Sequence, residues 1–487
     1  MKLLYLIVLI TILISCQSSD NTKDNVQISK EDSIHLSNIE NNLIPFYSIE
    51  GETLRKTIPQ MMREDNIAGV SMAFIDKGRI AWTKCYGFAN IEDSIVVTPQ
   101  TVFQIGSVSK PVATMAALKM VENGDLSLTE DVNLKLKGWK IPENNFTAKS
   151  KVTLEQLIGH TSGIENDVVK FYELGEELPT REQLLSGTAA SGDKPITLVS
   201  VPGEKYKYSN PAYLVMEELM TDVAGKDFNK IMTDLVFEPC KMNSSSFEQP
   251  IPRRLMKLKA IGYDSDLNPL PYNVYPFKAG GGMWSTSIDL GKFLIALLND
   301  HNGTSKTLIS KEMADKVFSK ESKKSGFTKW YWKNDVLFRH DGTIPGFSCF
   351  VMGSVDNDQA IVVLTNSSYS HSLLNFIWRT VAEEYKWEYF RPEFYDKIII
   401  EKESLAKFSG KYSTNQDSLA FSIDDDKLYV NSKQTQGKHQ LIPIGGNEFL
   451  LPSIPMKYKF TINKNGDMSY VDIWNETGDY SKAEKAN

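Results

Sequence analysis

The hydrophobic and polar positions change pattern several times along the chain. An apolar run over residues 3–14 gives way to a polar stretch over 17–42 that is rich in Ser, Asn, Asp and Lys. Strand-like and helix-like patterns then alternate, and from about residue 404 only short strand-like runs between turns remain. This pattern predicts four parts, which are a signal segment at 1–15, a flexible tether at 16–42, a large mixed domain at 43–395 and a small β domain at 404–480.

The mixed domain contains both kinds of periodicity. Short apolar or alternating runs between turn residues predict strands, and longer apolar runs bounded by proline, glycine or asparagine predict helices. The predicted strands span residues 69–75, 79–87, 336–343, 347–354 and 359–365. The predicted helices span residues 111–121, 151–158, 211–224 and 287–299.

The helix at 111–121 is apolar on nearly every face, which predicts that it is buried in the middle of the domain. Gly106 suits a sharp backbone bend, and Pro111 lacks an N–H, which is harmless only in the first turn of a helix. These two residues place the start of the helix close to Ser107.

Ser107 and Lys110 combine a candidate nucleophile with a candidate base. Three residues are just under one helical turn, so the Lys110 amine can lie within hydrogen-bond reach of the Ser107 hydroxyl. Burial disfavours the charged form of lysine, which lowers the pKa and makes the amine a proton acceptor. On these residues alone, the alternative is that Ser107 caps the helix and Lys110 points to solvent.

Composition and charge narrow the functional classes. The chain has 487 residues and a net charge of −7, so it is long enough for one large domain with an accessory module and has no basic footprint for nucleic acid. Six scattered histidines show no spacing typical of metal ligands. We therefore expect no nucleic-acid partner, no metal and no cofactor.

A second candidate segment is Tyr208-Ser209-Asn210-Pro211. Tyr208 and Asn210 lie two residues apart just before a predicted helix, so both side chains can face one cleft. A phenolate can accept a proton, and an amide can orient a substrate or Lys110. The alternative is that Asn210 is the N-cap of the helix that begins at Pro211.

A third candidate lies on the strand predicted at 336–343. His340 could stabilise developing charge or shuttle a proton, and Gly342 would let a substrate chain lie against the strand. Taken singly, His340 could equally be structural. The aromatic residues before this strand either line the cleft or cover the core, and they are Trp330, Tyr331 and Trp332.

The N-terminus has the layout of a secretory signal, with an apolar run too short for a comfortable transmembrane span. It ends in Leu13-Ile14-Ser15-Cys16, which resembles the lipobox of bacterial lipoproteins. The resemblance implies cleavage before Cys16 and acylation of that residue, and two or more acyl chains anchor a protein stably. We therefore expect a lipid-anchored protein of the bacterial cell envelope; the alternative is an ordinary secretory signal cleaved nearby.

The three candidate segments, in this order and at these spacings, resemble the motifs of the serine β-lactamase and penicillin-binding protein superfamily. The motifs are Ser107-x-x-Lys110, Tyr208-x-Asn210 and His340-x-Gly342. The segments around Gly159-His160-Thr161-Ser162-Gly163 and Gly280-Gly281-Gly282 also look like recurring parts of this family. The resemblance covers about residues 43–390 and is strongest to class C β-lactamases and the related D-peptidases and esterases.

The resemblance implies an α/β fold of the α+β type, in which helices flank an antiparallel sheet made from both ends of the catalytic region and a helical insert lies between them. It implies that Ser107 forms an acyl-enzyme while Lys110 and Tyr208 share the proton transfers, with the base left open between them. Asn210 would position the substrate. Backbone N–H groups of Ser107 and Thr343 would form the oxyanion hole.

One departure from the family bears on the substrate. The β-lactamases usually have Lys-Thr-Gly at the third motif, whereas this chain has His340-Asp341-Gly342. A fixed ammonium that binds a substrate carboxylate is thus replaced by a group that is neutral over much of the working pH range. This favours D-peptidase or esterase activity on a small-molecule or peptide substrate, possibly derived from the cell wall. The alternative is a penicillin-binding or sensor protein that does not turn over.

The segment at 404–480 shows short strands separated by turns such as Gly445-Gly446-Asn447. It looks like the small lipocalin-like β-barrel found after some catalytic domains of this family. It shows no catalytic constellation. Covering the cleft and recognising cell-wall material are both open as roles, and the sequence leaves the oligomeric state open.

Overall fold

The architecture is that of a computed structural model. It describes residues 28–50, 55–165, 170–189, 194–320, 325–333, 335–388, 393–414, 417–433, 435, 437–452, 454, 456–464, 468–475 and 480–486. The signal segment predicted at 1–15, Cys16 and the tether as far as residue 27 lie outside these residues.

A seven-stranded antiparallel sheet forms the centre of the larger domain, in the order β4-β3-β2-β12-β11-β10-β9. Its strands are β2 Gly69–Asp76, β3 Arg79–Asn90, β4 Ile95–Val96, β9 Thr328–Trp332, β10 Asp335–Ile344, β11 Phe347–Ser354 and β12 Gln359–Thr365. Three strands come from the start of the domain and four from its end. This confirms the predicted sheet built from both ends, and the hairpins β2–β3 and β11–β12 lie where the sequence predicted them, whereas β4 and β9 were not predicted.

Helices cover both faces of the sheet, and one short helix at Lys402–Leu405 belongs instead to the C-terminal domain, where Leu405 is buried. They are α1 Lys30–Asn41, α2 Ile58–Glu64, α3 Ser109–Glu122, α4 Leu154–Ile158, α5 Arg181–Ser186, α6 Asn210–Ala224, α7 Phe228–Met232, α8 Arg253–Met256, α9 Lys278–Gly281, α10 Ser287–Asn302, α11 Lys311–Phe318, α12 His371–Glu384 and α13 Lys402–Leu405. Met72 and Phe74 of β2 pack with residues of α1 and α12, whereas Ala73 and Ile75 belong to the core that contains α3, α6 and α10. This alternation follows from the two-residue period of a strand.

Three short strand pairs complete the domain. The parallel pair is β1 Tyr47–Ile49 with β13 Glu393–Tyr395, and the antiparallel pairs are β5 Phe103–Gln104 with β8 Trp284–Ser285 and β6 Tyr172–Glu173 with β7 Asn273–Val274. The pair β5–β8 matters for the site, because β5 leads directly to Ser107 and β8 follows the glycine-rich segment of α9.

Residues 30–41 are a helix, so the prediction of a flexible tether over 16–42 is wrong for this part. The Ser29 side chain caps α1 by accepting a hydrogen bond from the Asp32 amide at 3.0 Å. Leu36 and Ile39 are buried against the core that includes α12. The low average hydrophobicity of this segment did not indicate a helix. Two apolar residues on one face are enough to hold the helix in place when a partner helix covers them.

The C-terminal domain is a closed eight-stranded barrel in which each strand pairs with the next and β14 pairs with β21. Its strands are β14 Gly410–Ser413, β15 Ser418–Asp424, β16 Lys427–Ser432, β17 Gly437–Gly445, β18 Glu448–Leu451, β19 Met456–Ile462, β20 Met468–Asn475 and β21 Tyr480–Lys485. The predicted small β-barrel is confirmed. The sequence pattern did not predict β21, because Ala483 is the only one of its residues that is buried in the barrel core.

Aromatic side chains fill the inside of the barrel. Phe421, Phe449 and Phe460 are buried there, and the Phe421 and Phe460 ring centroids lie 5.0 Å apart.

In the part of the chain that the structure describes, no helix combines the length and the apolar character that crossing a membrane requires.

Candidate active site

Ser107 lies at the bend between β5 and α3. Gly106 has a φ of +47°, a left-handed conformation that suits glycine, and Ser107 follows it in a single 3-10 turn. A Cβ on Gly106 would lie 3.2 Å from the amide nitrogen of Thr343. The bend therefore brings the backbone beside Ser107 against β10, as the predicted oxyanion hole requires.

Lys110 is completely buried in the first turn of α3, and its amine faces Ser107. The Nζ atom lies 3.0 Å from Ser107 Oγ, 2.7 Å from Asn210 Oδ1 and 2.5 Å from the Gly280 carbonyl oxygen. The alternative in which Lys110 points to solvent is thus wrong.

Burial lowers the pKa of Lys110 well below its ordinary value, which favours the neutral amine. A neutral amine has two N–H donors and one lone pair. The Gly280 carbonyl and Asn210 Oδ1 can only accept, so the two N–H groups point to them and the lone pair faces Ser107. In this state the Ser107 hydroxyl donates its hydrogen bond to Lys110.

Tyr208 approaches the nucleophile from the other side. Its hydroxyl donates a hydrogen bond to Ser107 Oγ at 2.9 Å. Burial raises the pKa of Tyr208 to about 12, although its hydrogen bond to Ser107 acts in the opposite direction. Tyr208 is therefore protonated at neutral pH, and the choice of base, which the sequence left open, favours Lys110.

Asn210 is the first residue of α6 and not its cap. The Ser209 side chain accepts a hydrogen bond from the Ala212 amide at 3.2 Å and is the N-cap. The Asn210 side chain instead accepts the N–H of Lys110. The alternative role of Asn210 as N-cap is wrong, because the cap lies one residue earlier in the chain.

His160 supports the second motif through a hydrogen bond with the backbone. The ring is buried, and its Nδ1 atom accepts a hydrogen bond from the Ser209 amide at 3.0 Å. Its centroid lies 4.5 Å from that of Tyr208. Burial lowers the pKa of His160 to about 3, so it is neutral with its proton on Nε2.

The glycine-rich segment contributes a backbone carbonyl. Gly280 lies in the short helix α9, and the amide of Ala279 next to it donates to Glu217 Oε2 at 2.9 Å. Glu217 is fully buried on α6, where burial raises its pKa to about 7. Side-chain patterns alone did not predict this part of the site, because the group that binds Lys110 is main chain.

The third motif lies on β10 beside the nucleophile. Ile344 and Phe347 flank a two-residue turn and form a hydrogen-bonded pair. Hydrogen-bonded and non-hydrogen-bonded pairs alternate along antiparallel strands, so the N–H and C=O groups of Thr343 and Asp341 face away from β11. On the other side of β10, β9 pairs only as far as Arg339. Within the described residues, the edge at 340–344 is therefore open to the cleft.

Gly342 allows β10 to approach the nucleophile bend closely. A Cβ at this position would lie 2.1 Å from the Ile105 carbonyl oxygen. Arg339 and Asp341 share the opposite face of the strand, where Arg339 NH2 lies 2.6 Å from Asp341 Oδ1. The negative charge of Asp341 is thus paired and not left beside the presumed oxyanion.

His340 lies at the wall of the cleft and is neutral. Its Nδ1 atom lies 2.8 Å from the Asp341 carbonyl oxygen, which can only accept, so Nδ1 carries the proton. Burial lowers the pKa of His340 to about 4. The Nε2 atom therefore has a lone pair, and His340 supplies no positive charge.

The cleft has a volume of about 620 Å³. It is lined by Ser107, Ile158, His160, Tyr206, Tyr208, Lys320, Gly326, Phe327, Thr328, Lys329, Tyr331, His340, Asp341 and Thr343. Tyr331 lines the cleft, whereas Trp330 packs against the core. Among the described residues, no three His, Cys, Asp or Glu side chains are grouped closely enough to hold a metal ion.

Comparison with known proteins gives a family match over most of the larger domain. The family model described as Beta-lactamase matches residues 54–386. Protein flp of Staphylococcus aureus (strain N315) is 26% identical over 326 residues, which are 65% of this chain and 63% of that protein. The match thus spans less than two thirds of that relative.

Three further proteins are similar over larger shares of the chain. Penicillin-binding protein 4* of Bacillus subtilis (strain 168) is 21% identical over 425 residues, 81% of this chain and 90% of that protein. The octameric penicillin-binding protein homologue from Pyrococcus abyssi matches with a TM-score of 0.57 and 22% identity, covering 88% of this chain and 98% of that one. A structure described as SurE with D-Leu matches with a TM-score of 0.54 and 17% identity over 88% of this chain and 97% of that one. These structural matches establish a shared fold.

Proposed function

The chain belongs to the Beta-lactamase family, and from this premise we propose that it is a serine hydrolase that cleaves an amide or ester through an acyl-enzyme on Ser107. The observation that carries the proposal is the position of the Ser107 hydroxyl, with Lys110 Nζ at 3.0 Å and Tyr208 Oη at 2.9 Å. One neighbour can take the proton of the hydroxyl and the other can give one to a leaving group.

In the acylation step, the Ser107 proton passes to neutral Lys110 as Oγ bonds to the substrate carbonyl carbon. The carbonyl oxygen becomes an oxyanion that accepts hydrogen bonds from the backbone N–H groups of Ser107 and Thr343. Loss of one such donor in another hydrolase costs roughly 3–4 kcal/mol of transition-state stabilisation.

Collapse of this intermediate breaks the bond to the leaving group. The Tyr208 hydroxyl gives its proton to the leaving nitrogen or oxygen, and the Lys110 ammonium returns a proton to Tyr208. Water then attacks the acyl-enzyme, which releases the acid and restores the Ser107 hydroxyl. Asn210 and the Gly280 carbonyl hold the amine in place throughout.

The neutral state of His340 supports a D-peptidase or esterase over an enzyme for β-lactam antibiotics. Where the β-lactamases usually have a lysine ammonium, this cleft has an imidazole whose accessible nitrogen can only accept a hydrogen bond. The open edge of β10 suits an extended substrate, whose backbone can pair with Asp341 and Thr343.

We also propose that the protein is anchored in the bacterial cell envelope by lipid on Cys16, on the sequence pattern at residues 13–16. Growth of an expressing strain with a radiolabelled fatty acid should label the wild-type protein. A Cys16→Ser variant should remain unlabelled and leave the membrane fraction, whereas label on that variant would overturn the assignment.

The acyl-enzyme is tested by mass spectrometry of the intact protein after treatment with a fluorophosphonate or a penicillin. We expect one covalent adduct on the wild type and none on Ser107→Ala. Equal labelling of that variant would overturn the role of Ser107. Steady-state hydrolysis of β-lactams, peptides ending in two D-alanines and short-chain esters then identifies the substrate class.

A second candidate is a penicillin-binding or sensor protein that is acylated without turnover. It is favoured by the names of two similar proteins, both of which are described as penicillin-binding. A stoichiometric burst with no steady-state phase on every substrate of the panel would establish this candidate, and multiple turnovers on any of them would exclude it.

A further inference from the structure

One end of the cleft is built by β9 and the end of α11. The Tyr331 hydroxyl donates to the Ser319 carbonyl at 2.7 Å, and Lys329 Nζ donates to the carbonyls of Val317 and Ser319 at 2.7 and 2.9 Å. Two side chains of one strand thus fasten it to the last turn of the helix. Three hydrogen bonds therefore join β9 to the end of α11 in this wall.

The same wall places a cation beside the cleft. Lys320 Nζ lies 5.4 Å from the centre of the Tyr331 ring, within cation–π range. In the described part of the chain, no carboxylate lies within ion-pair distance of this amine. The one carboxylate among the residues that line the cleft is Asp341, which is paired with Arg339. Lys320 therefore brings a positive charge to this end of the cleft.

The position of β9 also limits the substrate. Its pairing with β10 stops where Thr328 faces Arg339, immediately before His340. A chain extended along the open edge at 340–344 would meet β9 at this point and could not continue along β10. A substrate in the cleft is thus expected to end near Thr328, in the same cleft that Lys320 lines.

We propose that Lys320, held over Tyr331, binds a free carboxylate at the end of the substrate. The inference rests on the proposed function and narrows it to acyl donors that carry a terminal carboxylate. His340 is neutral and gives such a carboxylate no positive partner. An ammonium at the rim of the cleft supplies that charge without crowding Ser107.

The test uses thioesters in matched pairs, because release of their thiol is followed directly with a disulfide reagent. One pair has thioglycolate or thioglycolamide as the leaving group; the other has a succinyl or succinamyl acyl group on the same neutral thiol. In at least one pair, we expect kcat/KM to be about tenfold higher for the compound with the carboxylate than for its amide counterpart. This ratio corresponds to the free energy of a charged hydrogen bond at a partly exposed site. Salt should weaken this preference.

Three variants assign the preference to one amine. Lys320→Met should abolish it and Lys320→Arg should retain it. Lys316→Met removes the same charge from α11 outside the cleft and should leave it unchanged. The proposal is wrong if neither pair shows a preference, or if the preference survives in Lys320→Met.

Failure of this inference is distinct from failure of the proposed function. If no thioester is turned over, these compounds are not substrates, and the hydrolase activity is decided by the panel of β-lactams, peptides and esters. Binding then decides the role of Lys320. Calorimetry on Ser107→Ala should then show tighter binding of the carboxylate member, with the difference lost in the double variant that also carries Lys320→Met. Equal binding of both members would overturn the inference.

Discussion

The Nζ atom of Lys110 lies 3.0 Å from the Oγ atom of Ser107, and its other two polar contacts are carbonyl oxygens. These contacts fix the direction of the lone pair of the neutral amine. Because Asn210 comes from α6 and Gly280 from α9, the base is held by two elements that are distant in sequence from α3.

Lys110→Met should abolish acylation while the protein stays folded. General bases contribute roughly 10²–10⁴ in rate, and a methionine fills most of the volume of the lysine side chain. Adduct formation with a fluorophosphonate and circular dichroism report the two properties. Lys119→Met on the same helix is the control, since Lys119 is not among the residues that line the cleft. Acylation at the wild-type rate in Lys110→Met would exclude Lys110 as the base.

The buried amine should also make stability depend on pH. The folded pKa of Lys110 is lowered, whereas an unfolded lysine has a pKa of about 10.4. Between these values the unfolded chain binds one more proton, so stability rises with pH. Urea unfolding from pH 7 to 9 measures how the free energy of unfolding changes with pH. This slope should be smaller in Lys110→Met than in the wild type by up to about 1.4 kcal/mol per pH unit. Identical slopes would mean that Lys110 is charged in the folded protein.

Tyr208→Phe should separate substrates by their leaving group. The variant keeps the ring that packs on His160 but cannot protonate a departing amine. Hydrolysis of an amide should fall by roughly 10²–10⁴, whereas a thioester or nitrophenyl ester, which leaves without a proton, should be affected much less. Comparison of kcat/KM for both classes measures this. Equal losses on both classes would contradict a role as proton donor.

Adjacent substitutions at the start of α6 should have different effects. Ser209→Ala removes the N-cap and should cost about 1 kcal/mol of stability with little change in kcat. Asn210→Ala removes the acceptor of Lys110 and should lower kcat with little loss of helix stability. Denaturant unfolding and steady-state kinetics on both variants test this contrast, which fails if Ser209→Ala is the less active of the two.

His160 should act as a positioning residue. His160→Ala leaves the Ser209 amide without its acceptor, at a cost of about 1–3 kcal/mol for a buried donor. Displacement of Tyr208 should then lower kcat more than it changes KM. His160→Asn offers an acceptor oxygen and should recover part of the activity. If kcat stays unchanged in His160→Ala, Tyr208 is positioned by other contacts.

Local patterns predicted five of the seven strands of the central sheet and the helices α3, α4, α6 and α10, but not β4, β9, α11 or α12. The hairpins at β2–β3 and β11–β12 have the expected alternation and turn residues, and α6 ends at Ala224 as predicted. Prediction failed at α1 and at β21, where few residues are apolar. Their stability depends on partners elsewhere in the chain, which a local pattern does not contain.

The sequence by itself determined which groups are available: the spacing of Ser107 and Lys110 within one turn, and the order of the three motifs. Only the tertiary structure decided the hydrogen-bond partners and the protonation of these groups. The Gly280 carbonyl, the cap at Ser209 and the pairing of Asp341 with Arg339 come from contacts across the fold. Burial, which shifts the pKa of Lys110, is a property of packing, so it depends on every element that covers the site.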